Sequence, residues 1–397
     1  MTSGTHLTPH PTAVAAAESR IAARAMDWRG QLRQQVRSAA DLRILRPDLD
    51  FPDFSGEVLA RFPLGITPYY LSLVERADDS DPIWRQIAPN PAELVLAHGE
   101  QEDPLAERAL SPVPNLVHRY RDRALLWVSD ICFIYCRHCN RKHFTAQQGR
   151  LIAPQTLEAA IAYIRAHEEI REVILSGGDA FSLPDHHLAG ICERLRLIPH
   201  LDILRLATRA PVVCPMRLTP SLAQALQPYH PIYIMTHFNH PREVTAEAAA
   251  GLRTFADHGF PLLNQMVLLR GVNDRPEVVV ELGRQLTRHR CRPYYMFQGD
   301  AGPGLSGYHA PLEAGLEIIA AMRGFVSGLI VPHFAVDLPG GHGKITVQPD
   351  YLLSKDAQGY VFRSPKGETV SYARPSASPA ARHELPRVDR GAAHLNS

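Results

Sequence analysis

The sequence predicts an α/β fold, a partial (βα)6 barrel of the TIM type with a helical extension before it and a tail after it. Short apolar segments alternate with amphipathic stretches of helical length, as in right-handed βαβ units. An open doubly wound sheet would show the same alternation, but no GxGxxG follows the first strand, which disfavours its dinucleotide-binding form. Polar clusters follow several of the predicted strands, where barrels place their chemistry.

The alternation begins at residue 124 and continues to residue 339. The predicted strands are ALLWVSD (124–130), EVILSGG (172–178), ILRLATR (203–209), IYIMTHF (232–238), LLNQMVLL (262–269), PYYMFQ (293–298) and HFAVDLP (333–339). The predicted helices between them are PQTLEAAIAYIRAH, LPDHHLAGICERLRLI, TPSLAQALQPY, TAEAAAGLRTFADHG, RPEVVVELGRQLTRH and LEAGLEIIAAMRGF.

The flanking segments have a different character. Residues 1–115 contain a helical pattern followed by Pro-rich breaks, and we expect them to form an N-terminal helical extension. Residues 116–350 would form the barrel. Residues 351–397 would form a C-terminal segment, partly disordered because the chain from about 365 onward is rich in Pro, Ser, Ala and Arg.

Composition excludes several classes of protein. A hydrophobic content of 45% is enough for a packed core, so the chain as a whole is not disordered. Lys and Arg number 42 against 41 Asp and Glu, which argues against a general nucleic-acid binder. No apolar run approaches the roughly 18 residues of a membrane helix, and the start lacks the pattern of a secretory signal.

Three of the six cysteines lie within eight residues, as Cys132, Cys136 and Cys139. A CxxxCxxC loop directly after a strand can bind three irons of a [4Fe–4S] cluster and leave the fourth open to a substrate or cofactor. The alternatives are a zinc site completed by His138, His143 or a distant cysteine, and a coincidental group of reduced thiols. Structural zinc usually takes two separated pairs, and there is no second CxxC. The scattered cysteines are expected to be buried thiols, namely Cys192, Cys214 and Cys291.

Two glycine-rich segments follow other strands. Ser176-Gly177-Gly178-Asp179 would let the backbone approach a ligand, although an ordinary βα turn looks the same. The segment from Asp337 to Lys344 reads DLPGGHGK. It is not a phosphate-binding loop, because Ile345 replaces the required Ser or Thr and the segment follows a strand rather than opening a helix.

Six segments together resemble the lysine 2,3-aminomutase family of radical S-adenosylmethionine (SAM) enzymes, in order and in spacing. They are HRYRDRALLWVSDICFIYCRHCNRKHF, VILSGGDAF, IMTHFNHP, NQMVLLRGVND, RPYYMFQGD and DLPGGHGK. The resemblance covers about residues 110–350. It implies a radical SAM barrel and an isomerase that moves the α-amino group of an amino acid to C3, giving a β-amino acid.

The resemblance also implies three cofactors: a [4Fe–4S] cluster, SAM and pyridoxal 5′-phosphate (PLP). Lys344 would bind PLP covalently. The cysteines of the CxxxCxxC loop would hold the cluster, whose open iron SAM would chelate. The segment Ser176, Gly177, Gly178 and Asp179 would line the methionyl part of SAM, with His237 and Gln265 at the same end of the barrel. The PLP phosphate would contact Arg119, Tyr120 and Arg123, and guanidinium groups suit phosphate.

Substrate recognition would fall to three charged residues. Arg141 would bind the substrate carboxylate, and Asp300 with Asp337 would bind a distal cation, which disfavours an acidic substrate. The sequence departs from the lysine enzymes after Asp300, where Gly307 and His309 replace the expected His and Arg. Smaller groups there would admit a guanidinium, so the sequence narrowly favours L-arginine as substrate, with L-lysine as the alternative.

The expected partners are a small amino acid, a flavodoxin or ferredoxin that reduces the cluster, and further copies of the chain in a homo-oligomer, without nucleic acid or membrane. Two rival functions remain at this point. One is a radical SAM reaction without migration, which would not need Lys344. The other is a non-enzymatic zinc module.

Overall fold

The computed structural model describes residues 11–142, 145 and 149–374, with side chains from residue 17 onward. The chain divides at residue 350 into two compact units. Within the described ranges, no helix combines the length and apolar character needed to span a bilayer.

The first unit contains a nine-stranded sheet whose strands follow one another in chain order. Strands β2 to β8 are parallel, and β1 and β9 pair antiparallel with the two ends of this array. The barrel prediction is confirmed, and all seven predicted strands are present. The strands are β1 (Leu116–Tyr120), β2 (Arg123–Ser129), β3 (Glu172–Gly177), β4 (Ile203–Ala207), β5 (Ile232–Thr236), β6 (Leu262–Val267), β7 (Cys291–Phe297), β8 (His333–Leu338) and β9 (Gly343–Thr346).

Each connection between successive parallel strands carries a helix, as predicted. Those helices bury their apolar face; α11, for example, buries Val279, Leu282 and Leu286, three to four residues apart. The helices of the chain are α1 (Pro11–Ala25), α2 (Trp28–Arg33), α3 (Ala39–Leu45), α4 (Gly56–Arg61), α5 (Pro68–Leu71), α6 (Pro154–Ala166), α7 (Asp185–Arg196), α8 (Ala210–Val213), α9 (Pro220–Leu226), α10 (Ala246–Asp257), α11 (Pro276–Arg288) and α12 (Leu312–Met322).

The segment before β1 holds the loop that follows β2. The side chain of Gln35 donates to the carbonyl oxygens of Cys132 and Phe133, both at 2.8 Å. The carbonyl oxygen of Gly65 accepts from the Tyr135 amide, and that of Gln86 accepts from the Arg137 amide. The extension thus supplies hydrogen-bond partners to the cysteine loop from Cys132 to Arg137.

The second unit is a three-stranded antiparallel sheet of β10 (Leu352–Lys355), β11 (Gly359–Arg363) and β12 (Thr369–Ala373). Order therefore extends past residue 365, beyond the point where the composition suggests a disordered tail. The rest of that expectation concerns residues 375–397, which lie outside the described residues.

Candidate active site

The barrel interior contains a cavity of about 460 Å³, and every site residue predicted from the sequence lines it. The three cysteines enter from the loop after β2, the Ser176–Asp179 segment from the end of β3, and Lys344 from β9. Residues far apart in the sequence meet here because parallel strands direct their carboxyl ends to the same edge.

Cys132, Cys136 and Cys139 are free thiols in a tight turn, where the Cys139 amide donates to the Cys136 carbonyl oxygen at 3.1 Å. Burial raises the pKa of Cys139 to about 11, and burial with the charge of Cys139 raises the pKa of Cys132. Buried thiols of this kind become thiolates by binding metal. In the described part of the chain, no three His, Cys, Asp or Glu side chains are placed so that they could hold one metal ion. A [4Fe–4S] cluster needs no such group, since each thiolate binds a different iron, and the three thiols fit it.

The two glycines after β3 are required by the backbone itself. A Cβ on Gly177 would lie 2.4 Å from the carbonyl oxygen of Ser129, and one on Gly178 would lie 2.4 Å from that of Ile131. The Gly178 and Asp179 amides donate to these same two oxygens, at 2.6 and 2.8 Å. The absence of side chains at Gly177 and Gly178 thus lets the end of β3 pack closely against the segment that leads into Cys132.

Asp179 uses both carboxylate oxygens within the protein. Its Oδ1 accepts from the Phe181 amide at 2.9 Å and the Thr208 hydroxyl at 2.6 Å, and its Oδ2 accepts from the Arg209 amide at 2.8 Å. Burial raises the pKa of this carboxyl, and these hydrogen bonds oppose the rise. Asp179 therefore joins the ends of β3 and β4 beside the cavity.

Charged side chains from β1, β8 and β9 contact one another in the cavity. Lys344 Nζ lies 2.7 Å from Asp337 Oδ2, and Arg119 Nη2 donates to Asp337 Oδ1 at 2.9 Å. The guanidinium carbons of Arg119 and Arg123 lie 4.8 and 4.1 Å from the ring centroid of Tyr120. Arg119 Nη1 is buried and has no hydrogen-bond partner among the described residues. A partly buried lysine in one cavity with two arginines and a tyrosine fits a cofactor with a carbonyl and a phosphate, as PLP has.

The amine of Lys344 is tuned by opposing effects. Burial lowers its pKa, while the adjacent Asp337 carboxylate raises it. The lysine follows Gly343, whose φ of +92° is a conformation that L side chains rarely adopt. This glycine lets β9 start at the point that places Lys344 opposite Asp337.

Asp300 lies in the same cavity, after β7. Its Oδ2 accepts from Asn140 Nδ2 at 2.8 Å. Burial, with the nearby Asp337 carboxylate, raises the pKa of Asp300 to about 6. Arg141 pairs with Glu107 through two hydrogen bonds, Nε to Oε2 at 2.8 Å and Nη2 to Oε1. Two carboxylates and an arginine thus surround the part of the cavity next to Lys344.

His237 and Gln265 also line the cavity. His237 Nε2 lies 3.0 Å from Nε2 of His138, and the two rings stack with centroids 5.3 Å apart. Burial lowers the pKa of His237 to about 3, so this imidazole is neutral.

Sequence reasoning missed three side chains of this site. Glu107, which pairs with Arg141, lies in the extension, and Asn140, which donates to Asp300, directly follows Cys139. Arg209 follows β4, and its Nη1 lies 2.7 Å from Cys136 Sγ. The polar pair Thr208-Arg209 at the end of a predicted strand was the available signal for it.

Gly307 does not lie where the argument for arginine places it. It lines a second cavity of about 370 Å³, together with Trp84, Asn90 and Tyr308, and is not among the residues around Asp300. A Cβ on Gly307 would meet nothing within 4 Å. The loop folds away from the substrate region after Asp300, so the argument for arginine from a smaller side chain at this position fails.

Comparison with known proteins agrees with this geometry. The model of the Radical SAM superfamily matches residues 128–283, and the model described as Lysine-2,3-aminomutase matches residues 319–389. The L-lysine 2,3-aminomutase of Clostridium subterminale is 43% identical over 350 residues, 88% of this chain and 84% of that protein. The enzyme of the same name from Methanococcus maripaludis is 42% identical, over 79% of this chain and 73% of its own. The glutamate 2,3-aminomutase of Clostridioides difficile is 39% identical, over 80% and 75%.

Proposed function

The chain belongs to the lysine 2,3-aminomutase family of radical SAM isomerases, and from that premise we propose that its substrate is L-lysine and its product β-lysine. The enzyme uses a [4Fe–4S] cluster, SAM and PLP. The preference for arginine has no support from these relatives, which are named for lysine or glutamate, and the lysine alternative fits better.

The observation that carries the proposal is the pair of carboxylates in one cavity with Lys344. Asp300 and Asp337 are close enough that one raises the pKa of the other. A distal ammonium would relieve this repulsion, whereas the second carboxylate of glutamate would add to it. These two carboxylates therefore favour a basic amino acid over an acidic one at this end of the cavity.

When bound, the cluster and SAM would supply the radical that removes hydrogen from C3 of the substrate, and PLP would supply the group that stabilises the substrate radical. The protein binds, orients and shields. Arg141 would bind the substrate carboxylate, and its pairing with Glu107 holds its guanidinium in place beforehand. Lys344 would hold PLP, with Arg119 and Arg123 at the phosphate. Enclosure within the barrel keeps water from the radical.

Two further elements of the proposal follow from the cluster. It must be reduced before each cleavage of SAM, so we propose a flavodoxin or ferredoxin as electron donor. Such a donor and the oxygen sensitivity of the cluster favour the cytoplasm. A homo-oligomer stays a prediction.

The test is isomerisation by the reconstituted enzyme without oxygen. L-Lysine, L-arginine, L-glutamate and L-alanine are incubated separately with SAM, PLP and a reductant, and mass spectrometry with chromatography separates the α- and β-isomers. We expect β-lysine as the main product and none from the Lys344→Ala variant. Faster conversion of arginine or glutamate would overturn the assignment of lysine, and β-isomers of none would overturn the function.

A further inference from the structure

Arg209 lies just after β4 with its guanidinium against the cysteine loop. Its Nη1 donates to Cys136 Sγ at 2.7 Å. Its Nη2 donates to Gln86 Oε1 at 2.5 Å and to Glu243 Oε1 at 3.0 Å. The side chain is only 7% exposed, so a buried positive charge sits on one of the three predicted cluster ligands.

The surroundings fix the orientation of this guanidinium. The Arg209 amide is anchored on Asp179 Oδ2 at 2.8 Å. Glu243 is fully buried and accepts from the Tyr70 hydroxyl at 2.7 Å as well as from Arg209. Gln86 is also fully buried and donates to Glu243 at 3.0 Å. A guanidinium held from two sides cannot turn away from Cys136 without breaking buried hydrogen bonds.

A hydrogen bond to a ligand sulfur changes the redox properties of an iron–sulfur cluster. Reduction adds one negative charge to the cluster. A positively charged N–H donor on a thiolate stabilises the reduced form more than the oxidised one, and low polarity strengthens the effect. The carboxylate of Glu243, close behind the guanidinium, opposes part of it.

We propose that Arg209 is a positioning residue that orients the Cys136 thiolate and raises the reduction potential of the cluster, with Glu243 limiting the rise. The proposal rests on the function proposed above, because it assigns Cys136 to a cluster that must accept an electron before SAM is cleaved. It adds a role for a residue that touches the cysteine loop from a different strand.

The test measures the potential of the reconstituted cluster by EPR-monitored titration without SAM, PLP or substrate. Arg209→Gln removes the charge and is too short to reach Cys136. Glu243→Gln removes the opposing charge and leaves Arg209 in place. The matched control is Arg217→Gln, since Arg217 is also fully buried but pairs with Asp185 and with the carbonyl oxygens of Phe181 and Leu183.

We expect Arg209→Gln to lower the ratio of reduced to oxidised cluster at a fixed potential at least tenfold, a shift of about 59 mV for one electron. Glu243→Gln should shift the potential in the opposite direction, and Arg217→Gln should leave it unchanged. A wild-type potential in Arg209→Gln overturns the proposal. If that variant assembles no cluster, Glu243→Gln decides, and an unchanged or lowered potential there overturns it.

These outcomes are separate from those of the proposed function. If the potentials shift as expected but the wild-type enzyme makes no β-lysine, the function fails and the role of Arg209 stands. If the enzyme makes β-lysine but Arg209→Gln leaves the reduction potential of the cluster unchanged, only the role of Arg209 fails.

Discussion

Lys344 Nζ lies 2.7 Å from Asp337 Oδ2, and the two residues pair directly across the β8–β9 hairpin. The other oxygen of the same carboxylate accepts from Arg119 at 2.9 Å. One carboxylate thus joins the lysine expected to hold PLP to an arginine expected at its phosphate. Because Asp337 is also expected to meet the distal ammonium of the substrate, its replacement should disturb cofactor and substrate together.

Borohydride reduction should fix PLP on Lys344. Lys142 is the informative competitor, because it lines the same cavity and burial lowers its pKa to about 8. Its Nζ, however, donates to Glu93 Oε2 at 3.0 Å and to the Gly304 carbonyl oxygen at 2.9 Å, and its side chain is fully buried. Peptide mass mapping should find the label on Lys344 alone, and a label on Lys142 would contradict the assignment.

Asp300→Asn and Asp337→Asn should both impair lysine turnover. Loss of one partner of a buried ion pair costs about 3–5 kcal/mol, which corresponds to a fall of roughly 150-fold to several thousandfold in kcat/KM. The variants should differ in PLP content. Asp300 accepts from Asn140, whereas Lys344 donates to Asp337. Asp300→Asn should therefore keep PLP, while Asp337→Asn removes the carboxylate beside Lys344. Steady-state kinetics and PLP absorbance distinguish the two, and wild-type rates in both variants would refute a basic substrate.

The reaction should weaken as the pH falls through about 6. Burial and Asp337 raise the pKa of Asp300 to about 6 in the protein without substrate. Below that pH the carboxyl is neutral and loses its attraction for the ammonium, so kcat/KM for lysine should fall about tenfold per pH unit. In Asp300→Asn this inflection should disappear. An inflection that persists unchanged in the variant would assign it to another group.

Three variants, each with one cluster cysteine replaced by Ala, should lose SAM cleavage, because a cluster that lacks one thiolate is unstable. The residues replaced are Cys132, Cys136 and Cys139. Cys192 provides the control, since it is a fully buried thiol on the apolar face of α7. Iron and sulfide analysis should find an intact cluster in Cys192→Ala and a depleted one in the other variants. Zinc without iron in the wild-type protein would overturn the cluster.

The sequence alone was enough to predict the site residues that belong to short motifs. The cysteine loop, the glycines after β3 and Lys344 each lie in a segment of a few residues that follows a strand, and all of them reached the cavity. Contacts between side chains from distant segments could not be predicted from the sequence. Arg141 with Glu107 and Arg209 with Cys136 join residues 34 and 73 positions apart, and no local pattern specifies such partners. Gly307 was misplaced because the path of an irregular loop has no periodicity to indicate it.

The most demanding stability prediction concerns Glu93, a carboxylate of the extension that is 2% exposed. It accepts from Arg137 Nη2 at 2.7 Å and from Lys142 Nζ at 3.0 Å, and so holds two cations of the cysteine loop. Glu93→Gln would leave both cations buried beside a neutral amide. Loss of a buried counter-charge costs about 3–5 kcal/mol. At about 2.1 cal/mol/K of unfolding entropy per residue, a chain of 397 residues shifts by roughly 1.2 °C per kcal/mol, so the thermal midpoint should fall by at least about 4 °C.

The control is another pair between an arginine and a carboxylate, located at the surface. Arg171 and Asp202 pair at 2.9 Å with side chains 52% and 56% exposed, and such pairs contribute about 0–1 kcal/mol. Asp202→Asn should therefore lower the midpoint by no more than about 1 °C. Glu93→Gln should also lose iron faster on dilution, because the loop between Cys136 and Cys139 is anchored through Arg137. A Glu93→Gln protein with the midpoint and iron retention of Asp202→Asn would show that the extension does not hold the cluster loop through this carboxylate.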